Sequence, residues 1–212
     1  LYTFYLAAVY GTVGHYPLVA RVLEVLLVGI LQPWLTFRIA NRLFGVRPGI
    51  VSALFCAVYP YFAFYSAALM TEAFYITAVL WTLDSASRIS VSKELPRTPA
   101  WLELGFAIGV AALLRQAFLL FTPVLVGCFL WSAWSGVARA HNRLRFSARL
   151  LAMLMVPALL TLPFTIRNYF AFKQFVPLNT NAGYVLFWAN HPVHGTHFIP
   201  ILKGSGDRYG AL

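Results

Sequence analysis

The chain holds only six acidic residues against sixteen lysines and arginines, so each charged side chain outside a basic cluster is a candidate for chemistry. Arg21 and Glu24 stand three residues apart, Glu72 follows Thr71, Arg115 precedes Gln116, and Arg167, Asn168 and Tyr169 are consecutive. A guanidinium presents a planar fork of donors that matches a phosphate, so Arg115 beside Gln116 could be a substrate-phosphate ligand. Structural roles compete with that reading at each position. Arg21 and Glu24 have the i,i+3 spacing of a helix-surface ion pair. Thr71 and Glu72 suit a helix start, one as a cap and the other as an anion complementing the macrodipole. Arg115 can reach lipid phosphates by snorkelling. His191, His194 and His197 follow a His-x-x-His-x-x-His order, but in an irregular segment nothing makes three imidazoles converge, and they are not assigned a metal. The chain carries no Gly-x-Ser-x-Gly, P-loop or His-Glu-x-x-His motif, which argues against serine hydrolases, ATP-driven motors and zincins.

The elements that must position these groups are membrane helices. With 60% hydrophobic and 10% charged residues, the chain has too little charge to cover a soluble domain of this length. Ten of the sixteen basic residues fall in three gaps, Arg38/Arg42/Arg47, Arg88/Lys93/Arg97 and Arg139/Arg143/Arg145/Arg149. These gaps follow the first, third and fifth of six apolar runs, so the positive-inside rule assigns them to the cytoplasm and the alternate gaps to the outside. The net charge of +10 forms no continuous stripe, which points to anionic membrane lipids and not to nucleic acid. Spans are expected over residues 17–37, 48–65, 70–87, 99–114, 119–138 and 149–166, with Pro33 bending the first and Pro60 the second.

The fold class is therefore all-α, a polytopic transmembrane helical bundle of about six spans. It divides into a transmembrane region, 1–166, and a turn-rich extracytoplasmic loop or start of a further region, 167–212. Residues 1–15 read as the end of an earlier external or interfacial segment. Cys56 and Cys128 lie within apolar runs and are expected to be free thiols. Aromatics at the outer ends, Tyr59, Tyr61, Phe64, Tyr65 and Tyr169, fit an interfacial belt or a surface that stacks on sugar. Arg21, Glu72, Arg115 and Arg167 all fall toward the external face.

The segment Leu162-Pro163-Phe164-Thr165-Ile166-Arg167-Asn168-Tyr169, with Phe175-Val176-Pro177-Leu178-Asn179-Thr180-Asn181-Ala182-Gly183-Tyr184 after it, resembles the Pro-Trp-Thr-Ile-Arg-Asn-Tyr stretch and small-residue loop of bacterial membrane glycosyltransferases. Phe164 stands where Trp is common. Ala20-Arg21, Arg42-Leu43-Phe44-Gly45, Tyr59-Pro60, Thr71-Glu72 and Leu113-Leu114-Arg115 come in the same order as their counterparts. The family resembled is glycosyltransferase family 39, similar to dolichyl-phosphate-mannose protein mannosyltransferases and lipid A aminoarabinose transferases of the GT-C superfamily. The resemblance implies a GT-C-like bundle in a bacterial inner or plasma membrane, moving a sugar from a polyprenyl-phosphate carrier to an acceptor at the external face. It implies substrate contacts from Arg115 and Arg167 first, and from Arg21, Glu72, Asn168 and Tyr169 in support. The family's catalytic acidic residue is expected in a loop before Leu1, so no residue here is assigned as catalytic. No cofactor is assigned and a divalent metal stays open, as does the acceptor. A transporter or non-catalytic membrane scaffold is the competing class, against which stands the lack of paired halves or discontinuous midplane helices.

Overall fold

The computed structural model describes residues 1–92, 94–135, 143–176 and 178. Their regular structure is all helical, with no strand among the described residues. Helix α1 spans Tyr2–Val13, α2 Pro17–Phe44, α3 Val46–Val58, α4 Pro60–Ala67, α5 Glu72–Val91, α6 Thr98–Leu114, α7 Thr122–Ser135 and α8 Arg143–Phe172, with a 3₁₀ turn over Gln116–Phe121 between α6 and α7. Each of the six expected spans is helical over most of its described residues; the second is interrupted at Tyr59, and the third begins at Glu72, two residues later than expected. Residues 2–13, read from sequence as the tail of another segment, form a helix of their own.

By length and composition, α2 and α8 can each cross a bilayer. The pair α3 and α4, bent by 50° at Tyr59, makes a third crossing if taken as one broken span. The break has a local cause: Pro60 has no N–H to donate and restricts Tyr59, which is extended at φ −68° and ψ 115°. Pro33, by contrast, lies within an unbroken α2. Helix α5 carries Glu72, Asp84 and Arg88 along its 20 residues, while α6 and the run Gln116–Ser132 are shorter apolar helices.

Side-chain ties fix the helix directions. Gln32 donates to the Ala73 carbonyl at 3.0 Å and to the Thr77 hydroxyl at 3.1 Å, and Arg38 and Arg42 meet Asp84, so α2 and α5 run parallel. Gly45, at φ 96°, turns the chain so that α3 packs back along α2, and Gly49 lies against Phe37 and Asn41. Gly105 faces Met153 and Val156, and Gly109 faces Pro157 and Leu160, so α6 and α8 are also parallel. An alternation of up and down helices follows from these registers. Small residues let the α6 and α8 backbones approach, which matters in lipid because apolar side chains gain little by leaving a solvent as apolar as themselves.

The interior centres on α6, where Trp101, Leu104, Ala107, Ile108, Ala111 and Ala112 are all buried. Trp101 packs its indole against Phe129 of α7 at 5.2 Å and Phe146 of α8 at 5.5 Å. The outward surface is equally apolar: Leu18, Ile30, Phe55, Leu120, Trp131 and Leu144 are exposed. A bundle with both faces apolar has lipid as its solvent. Cys56 and Cys128 are both free, Cys56 buried and Cys128 exposed.

Candidate functional site

Helices α5 and α6 form an antiparallel pair with an ion pair near each end, and these define two polar regions. At one end, the first turn of α5 presents Glu72, and Arg115 stands just past the last residue of α6. Arg115 pairs with Glu72 and lays its guanidinium 5.6 Å from the ring centre of Tyr75, one turn further along α5. Thr71 precedes Glu72 but makes no capping hydrogen bond to the helix; its hydroxyl meets the Glu72 carboxylate at 3.4 Å instead. The helix-start role expected of Thr71 thus gives way to a polar cluster. Nearly half of the Arg115 side chain stays exposed, at 48%, so a donor edge remains for an anion. Tyr61 and Tyr65 of α4 add two phenols whose rings meet at 4.5 Å. The two rings are tilted at 52°, Tyr61 is exposed, and Tyr59 and Phe64 are exposed beside them.

Adjoining this cluster along α5 is a second group that sequence reasoning missed in part. Glu24 is fully buried and accepts a hydrogen bond from Tyr2 at 3.2 Å. Tyr5 donates to the Ala20 carbonyl at 2.6 Å, and both tyrosine rings pack on Phe74. The expected Arg21–Glu24 pair does not form. Arg21 points to the outside of α2, while Glu24 faces inward toward α1 and α5. A signal was present in the sequence: Tyr2 and Tyr5 have the i,i+3 spacing that places two phenols on one helix face.

Arg167 and Tyr169 lie exposed near the end of α8, and Tyr169 is edge-on to Phe170. Among the described residues no contact joins Arg167 to Arg115 or Glu72. Asn168 is buried, and its amide donates to the Val176 and Leu178 carbonyls at 3.3 and 3.0 Å. It holds the chain where it leaves α8, a task that leaves its amide committed to backbone. His191, His194 and His197 lie outside the described residues, as does the 167–212 segment beyond residue 178.

At the opposite end, Asp84 and Glu103 lie beside a run of basic residues, yet neither is a freely solvated acid. Asp84 is only 1% exposed and is held by Arg38 at 3.0 Å and Arg42 at 2.9 Å, both from α2. Glu103 pairs with Arg88 and accepts from Trp81 at 3.2 Å and Ser85 at 3.3 Å. Arg149 donates to the Leu95 and Pro96 carbonyls at 3.2 and 2.6 Å, tying α8 to the turn before α6. A charge inside a bilayer persists only with partners, and these groups have them.

Between α7 and α8 lies an apolar groove of about 580 Å³ whose walls include Leu119, Val126, Leu130, Leu154 and Pro157. Leu119 in its wall belongs to the 3₁₀ turn that follows Arg115. Thr122 lies in its wall with a buried hydroxyl that has no partner among the described residues.

The family model of dolichyl-phosphate-mannose-protein mannosyltransferases matches residues 1–162. The chain belongs to that family. Its members are membrane glycosyltransferases of the GT-C superfamily that use polyprenyl-phosphate sugar donors, and the all-α bundle agrees with it. The match includes Arg21, Glu24, Glu72 and Arg115 but stops before Arg167-Asn168-Tyr169, the stretch that carried most of the sequence resemblance. No curated protein and no solved structure matches the chain.

Proposed function

We propose that this mannosyltransferase-family chain takes part in moving a sugar from a polyprenyl-phosphate carrier to an acceptor at the external membrane face, with Arg115 as the ligand of the carrier phosphate. The observation that carries the reading is the placement of Arg115. It is half-exposed at the end of α6, held by Glu72 and Tyr75, and four residues ahead of Leu119 in the wall of the apolar α7–α8 groove. A polyprenyl phosphate has the same layout, an anion at one end of a hydrocarbon chain.

In this reading the phosphate takes the free edge of the Arg115 guanidinium and the prenyl chain lies over Leu119, Val126 and Leu154. The phosphate leaves the sugar with added negative charge, which the arginine offsets, so the contact strengthens toward the transition state. Glu72 neutralises Arg115 at rest and aims its fork, while Tyr61, Tyr65 and Tyr75 offer ring faces to a sugar. Arg167, Arg21 and Tyr169 stay candidates for contacts outside this cluster, and Asn168 for support of the α8 end.

The test is turnover of polyprenyl-phosphate sugar by the full-length membrane-embedded protein, which includes the acidic loop expected before Leu1, and by its Arg115 variants. Arg115→Ala removes a transition-state contact of ~3 kcal/mol and slows turnover roughly a hundredfold. Arg115→Lys keeps charge without the planar fork and falls between. Turnover at the parental rate in a folded Arg115→Ala protein would remove the arginine from the site and leave it a snorkelling residue.

A further inference from the structure

A smaller groove, of about 240 Å³, lies between α2, α5 and α7 at the Asp84 end of the bundle and is lined by Ile39, Leu43, Leu83, Ser87, Cys128 and Phe129. It is too small for a typical ligand pocket of ~300 Å³ or more, and its open, apolar walls suit part of a single hydrocarbon chain. Its rim is charged. Ser87 lines the groove and accepts a hydrogen bond from Arg42, whose guanidinium also meets Asp84, as does that of Arg38. Two arginines therefore share one carboxylate, and the neighbouring Arg88–Glu103 pair is balanced and leaves the excess uncancelled. Arg149, the next cation toward this end, donates to carbonyls and adds to the excess. The side chains of Arg38 and Arg42 are 30% and 20% exposed, enough for each to offer a donor. Asp84 stands seven residues before the end of α5, roughly 10 Å along the axis, near the depth where acyl chains meet headgroups.

We infer that this groove is a binding site for one anionic phospholipid of the leaflet at the Asp84 end, with its phosphate on Arg42 and Arg38 and an acyl chain between Leu43 and Cys128. Charge decides the occupant: a neutral lipid or a second copy of this basic chain leaves the arginine excess unanswered, and an anionic headgroup answers it. The site is at the opposite end of α5 from Glu72 and does not depend on the carrier-binding role of Arg115.

Cys128 gives the test its handle, since it lines the groove and is exposed. The full protein is placed in nanodiscs of phosphatidylcholine alone or with added phosphatidylglycerol, and alkylation at Cys128 by a bilayer-soluble maleimide is followed by peptide mass. Phosphatidylglycerol is expected to slow alkylation several-fold. Native mass spectrometry should show one retained phosphatidylglycerol. Arg42→Gln leaves Arg38 paired with Asp84, removing the excess charge without orphaning the carboxylate, and should weaken retention about fivefold. Cys128→Trp fills the groove and should abolish the adduct, providing a second route if Arg42→Gln does not fold. Equal protection by phosphatidylcholine would overturn the inference in favour of ordinary annular lipid. Cys128 crosslinking between copies, insensitive to lipid, would overturn it in favour of a protein interface.

Discussion

Asp84 shows how far a single residue can depart from its sequence context. Its sequence neighbours Arg88, Lys93 and Arg97 suggest a solvated acid beside a basic loop, whereas in three dimensions its partners come from α2, more than forty residues earlier. Helix register, not proximity in sequence, chose them. Asp84→Ala would leave two arginines without their anion inside the bundle, a loss of about 3–5 kcal/mol. Arg42→Gln should cost much less, because the Arg38–Asp84 pair survives. Thermal unfolding in detergent should therefore rank Asp84→Ala well below Arg42→Gln, and equal melting temperatures would show that the triad contributes nothing as a unit. Arg21 and Glu24 make the converse case. The spacing that permits a local pair was plain in the sequence, but whether both side chains face the same neighbours depends on α1, whose helical character was not read. Glu72 and Arg115 were each legible as candidates; their direct contact was not, since it arises from the antiparallel packing of α5 on α6.

At the scale of elements, helix positions were readable because apolar runs and prolines are local signals. Pro60 broke the second expected span where its missing N–H and its restriction of Tyr59 require, and the 50° bend between α3 and α4 records it. Helix ends were less readable: α8 extends six residues beyond each expected end, to Arg143 and Phe172, because polar and aromatic residues prolong a helix into the interface once it has formed. A close helix contact, that of α6 on α8, was invisible to hydropathy. Gly105 and Gly109 sit on α6 where an added methyl at 105 would strike the Met153 carbonyl and one at 109 would strike the end of the Leu160 side chain. A backbone carbonyl cannot move aside and a leucine terminus can. Gly105→Ala should therefore destabilise by about 1–3 kcal/mol, with Gly109→Ala costing less. Gly29→Ala meets nothing within 4 Å and should be neutral or slightly stabilising. Detergent unfolding of the three variants checks the order; an equal effect at all three positions would contradict the parallel packing of α6 on α8.

For the whole molecule, the helix directions and the charge distribution give one consistent topology from independent grounds. Parallel α2 and α5, with α3 and α4 returning between them, place Arg38, Arg42, Asp84, Arg88, Glu103 and Arg149 at one end, and Glu72 and Arg115 at the other. The positive-inside rule predicts that the first end is cytoplasmic. Four exposed positions test both statements once Cys56 and Cys128 are replaced: Arg47 and Glu94 at the basic end, Met70 and Ala117 at the other. Single cysteines at Arg47 and Glu94 should react with an impermeant thiol reagent only after sealed vesicles of external-face-out orientation are opened, and those at Met70 and Ala117 should react at once. The two ways of failing have different meanings. If Arg47 and Ala117 react from the same side, the alternation of helices is wrong and the bundle must be redrawn. If the pairs separate but with reversed sides, the bundle stands and its orientation falls. Arg115 would then face the cytoplasm, and sugar transfer at the external face could not use it.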